Sequence, residues 1–258
     1  MSKLKICVSD RCFFPKSAFM SSKAVVKLAK SLGYEQVEFH PTWAVWFEAL
    51  TKGKLSCQSS DICSFHINWR EDGRKGGFGF IKRAFLIPAY WVFPPECLSN
   101  LTLQKLEKKY RKPVVVHWRE DFDRYRYPIA ELHGLLRLNL ERVEEMIKNG
   151  QIMGVVIDTE KFDGWLEKTG EKESQTLGRL LPFIKEVHFR FRNKEEVEFL
   201  LRGKESKSAQ LMMKLVKRGY KNQVVVEIGW PEKGAMEILK AEGFERVHKK
   251  IINFLKNL

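Results

Sequence analysis

Short apolar runs that end on an ionisable residue recur along the chain. The clearest is Met153–Ile157, a largely β-branched run that leads into Asp158. It is too short for a helix and is bounded by Gly150 and a charged turn, so it predicts a strand buried on both faces. Five further runs have the same form: Gln36–His40, Ile62–His66, Pro113–His117, Ile184–His188 and Val224–Glu227.

The spacing of these runs predicts one repeated structural unit. A strand followed by its crossover helix takes roughly 30 residues, and the two widest intervals, His66 to His117 and His117 to Asp158, leave room for an extra loop or a weakly marked strand. Polar residues gathered at the C-terminal ends of parallel strands are typical of a (β/α)8 TIM barrel. With 258 residues, the chain is predicted to form a single α/β domain spanning 1–258.

Helical segments separate most of the strand runs. Ser21 and Ser22 predict the start of a helix that reaches Leu32, with Gly33 just beyond its end. The fifth strand is the hardest to place; we expect it within Leu135–Leu140, although the Leu-rich composition of this segment suits a helix as well. The other segments are a first strand at Leu4–Ser9 and helices at 43–50, 101–110, 141–148, 173–181 and 242–258.

Carboxylates and imidazoles on separate strand ends are suited to a divalent metal. Asp158, His188 and Glu227 form one such set, for which oxygen-rich ligands favour Mn²⁺ or Mg²⁺ and additional histidines favour Zn²⁺. His66 and His117 are candidates for a second ion or for hydrogen bonds to a substrate hydroxyl. A purely structural role is the ordinary alternative for each single histidine.

The charge and the cysteines restrict partner and compartment. A net charge of +14 favours an anionic partner, with a phosphorylated metabolite, nucleic acid and an acidic protein left open, although Lys-rich helix faces explain it equally well. The five cysteines lack CxxC spacing and are typical of reduced cytoplasmic thiols. No signal-type segment or 18-residue apolar run is present, so no membrane contact is expected.

Two rim segments combine aromatic and basic residues. The tetrapeptide Trp-Arg-Glu-Asp occurs at 69–72 and at 118–121, each time beyond a strand-end histidine. Four glycines with basic neighbours occupy 73–80, where they suit either an anion-binding loop or a mobile lid. Trp69, Arg70, Trp118 and Arg119 are therefore candidate substrate-binding residues.

Several of these motifs together resemble the xylose-isomerase-like TIM barrels, a family of sugar isomerases, sugar-phosphate epimerases and apurinic endonucleases. The resemblance covers nearly the whole chain in order. Its motifs are Val37-Glu38-Phe39-His40, Ser64-Phe65-His66, Val116-His117, Gly154 to Thr159, Val187 to Arg190 and Val226-Glu227.

The resemblance implies that Asp158, His188 and Glu227 bind a divalent metal (Mn, Mg or Zn) and that a fifth-strand glutamate completes the set. In the expected register Leu138 stands at that position, and leucine cannot bind a metal. Glu131, Asn139 and Glu141 are the alternatives if the register is shifted.

The chain departs from the family pattern at two further places. Asp158-Thr159 is followed by Glu160-Lys161, where the family has glycine and histidine. The acidic residue expected after His188 is replaced by the Arg190/Arg192 region. A reduced metal site, or none, is therefore a second expectation.

The first functional hypothesis is a metal-dependent sugar or sugar-phosphate isomerase or epimerase. Glu227 would act as base and ligand, with His66 and His117 on substrate hydroxyls. Glu38 and His40 complete the polar part of the predicted substrate site. Arg190, Arg70 or Arg119 would hold a phosphate, and Trp69, Trp118 or Trp230 would pack on the sugar ring.

Two other hypotheses follow from the same residues. The net charge and the basic, aromatic rim favour a metal-dependent phosphodiester hydrolase acting on nucleic acid. Leu138, Lys161 and Arg190 favour a barrel that has lost catalysis and serves as a binding protein.

Overall fold

Eight parallel strands close into one barrel in sequence order, which confirms the predicted (β/α)8 fold. The structure is a computed structural model that describes residues 4–13, 16–67, 96–117, 119–135, 138–191, 194–228, 239–240 and 242–258. The strands are β1 Lys5–Ser9, β2 Gln36–Phe39, β3 Ile62–His66, β4 Val114–Val116, β5 Pro128–Glu131, β6 Val155–Asp158, β7 Ile184–Arg190 and β8 Gln223–Glu227. The barrel closes where β8 pairs with β1, with Lys5 opposite Gln223.

Helices surround the barrel. They are α1 Ser22–Leu32, α2 Trp43–Lys52, α3 Glu96–Tyr110, α4 Leu140–Lys148, α5 Phe162–Thr169, α6 Glu173–Leu180, α7 Lys194–Leu201, α8 Lys207–Lys217 and α9 Phe244–Lys256. Within the described ranges, none of these helices has the length and apolarity needed to cross a membrane.

The start and end of α1 confirm the prediction from the sequence. The Ser21 hydroxyl accepts a hydrogen bond from the Ala24 backbone N–H, and Gly33 ends the helix in the left-handed conformation at φ +100°. A serine cap satisfies a free N–H of the first turn, and glycine adopts positive φ without steric cost.

Part of the barrel interior below the polar end is apolar. Val115, Ile129 and Val156 form one buried cluster inside it. Each of them lies two residues before an ionisable residue of the same strand or its end, respectively His117, Glu131 and Asp158. Side chains two apart on a strand point to the same face. His117, Glu131 and Asp158 therefore lie directly above this apolar cluster, at the C-terminal mouth of the barrel.

The expected position of the fifth strand was wrong. The strand is Pro128–Glu131, whose Ile129 lies opposite Val115 of β4 and whose Glu131 lies opposite Val156 of β6. Leu135 ends a short 3₁₀ helix, and Leu138 lies in the loop before α4, which Asn139 caps. The C-terminal end of the fifth strand is thus Glu131 and not Leu138, so a carboxylate stands where the resemblance requires one.

Candidate functional site

The mouth of the barrel concentrates buried ionisable side chains. Because all eight strands are parallel, their C-terminal ends meet at one end of the barrel. Five of the six histidines of the chain lie there, and the buried groups must be paired with one another because isolated charges are too costly to bury. Those at most 7% exposed are Asp10, Glu38, His40, His66, His117, Glu131, Asp158, Glu186, His188 and Glu227.

Glu131 is surrounded by three basic groups. His117 Nε2 lies 2.7 Å from its Oε2, and His133 Nδ1 and Lys161 Nζ lie 3.0 Å and 3.5 Å from its Oε1. Burial alone would raise the pKa of Glu131, but His133, Lys161 and His117 together hold that pKa well below its usual range. Glu131 is therefore an ionised carboxylate inside the barrel.

The turn after β5 depends on a glycine. A Cβ atom at Gly134 would lie 1.9 Å from the backbone carbonyl oxygen of His117. This close approach lets the chain pass over the end of β4 and places His133 beside Glu131. No side chain larger than hydrogen fits there without moving one of the two backbones.

Two cations bridge the carboxylates of β5, β6 and β8. Lys161 Nζ lies 3.3 Å from Asp158 Oδ2, in addition to its contact with Glu131. Arg190 Nη1 lies 3.6 Å from Asp158 Oδ2 and 3.4 Å from Glu227 Oε2. The result is a continuous row of alternating charges from Glu131 to Glu227.

Local hydrogen bonds hold this row in place. Asp158 Oδ1 accepts the backbone N–H groups of Glu160 and Lys161, at 2.9 Å and 3.2 Å, which turns Lys161 back over the strand end. Arg190 Nε lies 2.9 Å from Glu160 Oε2. The pKa of Lys161 is raised: burial opposes its charge, but Glu131 and Asp158 outweigh that effect. Lys161 therefore stays charged.

The residues predicted to hold a metal do not fit one as they stand. Asp158 and Glu227 both face the Arg190 guanidinium, and Asp158 also faces the Lys161 ammonium. A divalent cation between them would be repelled by both groups. Of the described residues, Asp158 joins none of the groups in which three or more ligand atoms converge. The ligand set Asp158, His188 and Glu227 stays a prediction from the resemblance.

His188 is held among three carboxylates. Its Nε2 lies 2.8 Å from Glu186 Oε1 and 3.3 Å from Glu38 Oε2, and its Nδ1 lies 4.0 Å from Glu227 Oε2. Burial would lower the pKa of His188, but Glu38, Glu227 and Glu186 raise it well above the usual value. Burial, together with repulsion by Glu186 and Glu227, raises the pKa of Glu38 despite the opposing effect of His188. His188 is thus an imidazolium, whereas burial favours the neutral form of Glu38.

Most of the predicted site residues lie together at the mouth. Those that meet there are Glu38, His40, His66, His117, Asp158, His188, Arg190 and Glu227. Trp69, Arg70, Trp118, Arg192, Trp230 and the loop 73–80 lie outside the described residues. Arg119 begins a short 3₁₀ helix, Arg119–Arg124, but its side chain is not among those described.

Sequence reasoning missed two members of the site. Glu186 lies two residues before His188 on β7, so the alternation of side chains along a strand would have identified it. His133 lies two residues beyond Glu131. No pattern in the sequence identifies it as a site residue unless Pro128–Glu131 is recognised as the fifth strand.

Comparisons with known proteins bear on the fold alone. No protein-family model matches the sequence, and no curated protein matches it either. Among solved structures, a D-allulose 3-epimerase from Methylomonas sp. in complex with D-allulose is 10% identical, with a TM-score of 0.54, over 100% of this chain and 98% of that chain. A 3-keto-D-glucoside 4-epimerase from E. coli is 12% identical, with a TM-score of 0.48, over 99% of this chain and 100% of that chain.

The match to the allulose epimerase extends over the complete barrel. At 10% identity it establishes a common architecture and carries no residue roles. In its fold, the chain is a (β/α)8 barrel, as is predicted from its sequence.

Proposed function

We propose that this chain is a sugar isomerase or epimerase that transfers a proton at the carbon beside a carbonyl group. The observation that carries the proposal is Glu131 at the end of β5. Such reactions need one group to remove a proton and another to return it. Together with Glu227 at the end of β8, Glu131 provides the pair of carboxylates that the reaction needs, whereas the expected register provided only Glu227.

The positions of the two carboxylates support this pairing. β5 and β8 are three strands apart in a closed barrel of eight, so the side chains approach a bound molecule from different sides. Glu227 is held ionised: burial would raise its pKa, but His188 and Arg190 outweigh this effect and hold the pKa well below its usual range. An ionised Glu227 is able to accept a proton from carbon.

The cations between the carboxylates suit the charge that develops in this reaction. When the proton leaves carbon, the electron pair moves onto the carbonyl oxygen as an enediolate. Lys161 and Arg190 lie between Glu131 and Glu227 and are 27% and 13% exposed, respectively, so both reach the solvent side of the mouth. Fixed positive charges in a site with little water stabilise such an oxyanion strongly.

Glu131 would return the proton in the second half of the reaction. Its Oε2 lies 2.7 Å from His117 Nε2 and its Oε1 lies 3.5 Å from Lys161 Nζ. A proton from the Lys161 ammonium would pass through Glu131 to carbon, Lys161 would recover a proton from solvent, and Glu227 would release to solvent the proton that it took from the substrate. In the reverse direction Glu131 removes the proton and Glu227 returns it.

The proposed substrate is a small carbohydrate, with or without a phosphate group. Arg190, the described cation that was expected to hold a phosphate, is already paired with Glu160, Asp158 and Glu227. His66 and His117 are proposed to contact sugar hydroxyls, as are Glu38 and His40. Trp69, Arg70, Trp118 and Arg119 remain proposed rim contacts, and dependence on a divalent metal remains part of the proposal.

The experiment is solvent exchange at carbon. Wild type, Glu131→Gln and Glu227→Gln would be incubated with a panel of ketohexoses and aldohexoses in D₂O, and deuterium incorporation beside the carbonyl would be followed by NMR. We expect exchange in wild type and a loss of roughly 10²- to 10⁴-fold in each variant, the range for removing a general acid or base.

A matched control lies on the helix after β5. Glu141 is an exposed carboxylate on α4, and Glu141→Gln should retain full exchange activity. Full activity of Glu131→Gln on a substrate that the wild type turns over would reject the two-carboxylate mechanism.

A phosphodiester hydrolase acting on nucleic acid is the second candidate. It is favoured by the net charge of +14 and by the convergence of His66, His117 and Glu131, three potential metal ligands. Binding of DNA that weakens steeply with salt would support it, because phosphate contacts release counterions. A chain without exchange activity or salt-sensitive DNA binding would instead be the non-catalytic barrel of the third hypothesis.

A cytoplasmic location also belongs to this proposal. The cysteines whose side chains are described are Cys7, Cys12, Cys57 and Cys63, and all of them are free thiols. Free thiols are typical of proteins in a reducing compartment.

A further inference from the structure

A second group of ligand atoms lies on the opposite side of the mouth from Lys161. Glu38 and His40 from β2 and its end, His66 from β3 and Glu227 from β8 each direct one donor atom into a common space, and these atoms all lie within 4.8 Å of one another. All four side chains are buried, at 7% exposure or less. Two nitrogen and two oxygen donors from separate strands form the kind of set that holds a transition metal.

Each of the two imidazole rings is oriented by a hydrogen bond at its Nδ1 atom. His40 Nδ1 lies 2.7 Å from Asp10 Oδ1, and His66 Nδ1 lies 2.6 Å from the Ile67 backbone carbonyl oxygen. The Ile67 carbonyl oxygen can only accept, so His66 Nδ1 carries the proton and His66 Nε2 has the lone pair. An ionised Asp10 would fix the same tautomer in His40. The rings stack with their centroids 4.7 Å apart. A carboxylate or a carbonyl behind a ligating histidine is the usual arrangement around protein-bound metals.

Several donor atoms of this group have no hydrogen-bond partner. Glu38 Oε1, His40 Nε2 and Glu227 Oε1 are all buried, and none of them makes a hydrogen bond. A buried polar atom without a partner costs on the order of 1–3 kcal/mol. Three of the four residues that converge on one space thus each have a buried donor atom without a partner, which indicates a ligand that satisfies them.

The other two convergent groups are less suitable for a cation. Glu131, the carboxylate of the His66, His117 and Glu131 group, is already surrounded by His117, His133 and Lys161. The Glu38, Glu186 and His188 group contains His188 itself as a bound positive charge. In the group of four, His188 and Arg190 each face the Oε2 atom of one carboxylate, Glu38 and Glu227 respectively, and the Oε1 atom of each is left without a hydrogen-bond partner. A divalent ion would bind through these Oε1 atoms, displace any proton from Glu38, and be coordinated by two imidazoles whose pKa values burial lowers.

We propose that Glu38, His40, His66 and Glu227 form a binding site for a divalent transition metal, with Zn²⁺ as the best match to its two imidazole and two carboxylate ligands. Asp10 is a positioning residue that holds His40 through Nδ1. The site differs from the one that the resemblance implies, because it uses β2 and β3 and leaves out Asp158 and His188.

This site is compatible with the proposed reaction and does not rest on it. Glu227 would contribute Oε1, the oxygen without a partner, and keep Oε2 beside Arg190. Metal binding is measured directly, so a chain that binds Zn²⁺ here and turns over no sugar would refute the proposed function and leave the metal site standing.

The experiment measures zinc on full-length protein without a histidine tag. The protein would be stripped with a chelator, dialysed against Zn²⁺ alone and analysed for bound metal, with far-UV circular dichroism as the check on folding. We expect one zinc per chain in wild type and its loss in Glu38→Gln and His40→Gln. Asp10→Asn keeps every ligand and should weaken zinc affinity roughly 10- to 100-fold. If a ligand variant fails to fold, the zinc affinity of Asp10→Asn still tests the proposal.

Two control variants separate the competing sites. Asp158→Asn removes a ligand of the site implied by the resemblance, and His117→Gln removes one from the His66, His117 and Glu131 group. Both should keep the zinc and the rise in melting temperature that it causes. Loss of zinc in either control with retention in His40→Gln would overturn the proposal, and so would wild-type protein that binds no zinc after dialysis.

Discussion

His248 makes the stability of the barrel sensitive to acid at a point remote from the mouth. It lies on α9 with none of its surface exposed. Its Nδ1 and the Tyr34 hydroxyl form a hydrogen bond of 2.6 Å, and its ring packs against Phe244 and Phe13 with centroids 4.3 Å and 6.4 Å away. Burial among these rings lowers the pKa of His248 from 6.5 to about 3.

The sign and size of the effect follow from this pKa difference. Above pH 6.5 the imidazole is neutral in both states and adds no pH dependence. Below 6.5 the unfolded chain takes up a proton that the folded chain refuses until about pH 3, so folding stability decreases through that range. Each pH unit is worth 1.36 kcal/mol, and the loss at about pH 4.5 is therefore about 2.7 kcal/mol.

The assay compares urea unfolding at about pH 7.5 and about pH 4.5 for wild type and His248→Phe. Other groups titrate equally in both proteins, so the variant should lose about 2.7 kcal/mol less on acidification. Tyr34→Phe is the control, because it removes the same hydrogen bond and keeps the buried imidazole. It should remain acid-sensitive. If His248→Phe lost as much stability as wild type, the buried neutral histidine would not be the cause.

Two further predictions concern the mouth. Gly134→Ala places a Cβ against the His117 carbonyl oxygen and should lower the free energy of unfolding by roughly 1–3 kcal/mol, whereas Gly178→Ala, with no atom near its Cβ inside α6, should raise it by up to about 1 kcal/mol. Equal effects in urea unfolding would refute the steric argument. Lys161→Met removes a cation from between Glu131 and Asp158 and should reduce deuterium exchange roughly 10²-fold. The exposed Lys168→Met should leave it unchanged, and normal exchange in Lys161→Met would exclude Lys161 as the oxyanion partner.

The strand runs were predictable because their signal is local. A short β-branched run with a polar residue at its end specifies both the strand and its mouth residue, as in Val155–Asp158 and Gln223–Glu227. The fifth strand has no such run: it is four residues long, begins with proline and contains an alanine. Its position comes from pairing with β4 and β6, because without it the polar backbone edges of those strands would have no partners.

The sequence predicted most of the ionisable residues that lie at the mouth. It did not predict which of them contact one another. The sequence showed that Lys161 and Arg190 stand where the resemblance expects other residues. Only the closed barrel shows that these cations lie between Glu131, Asp158 and Glu227. Likewise, the sequence placed His40 and Glu227 at strand ends far apart in the chain, and the closure of β8 on β1 brings them into one group. Hydrophobic pattern is a property of neighbouring residues, whereas the distance between two strand ends depends on the register of every strand pair around the barrel.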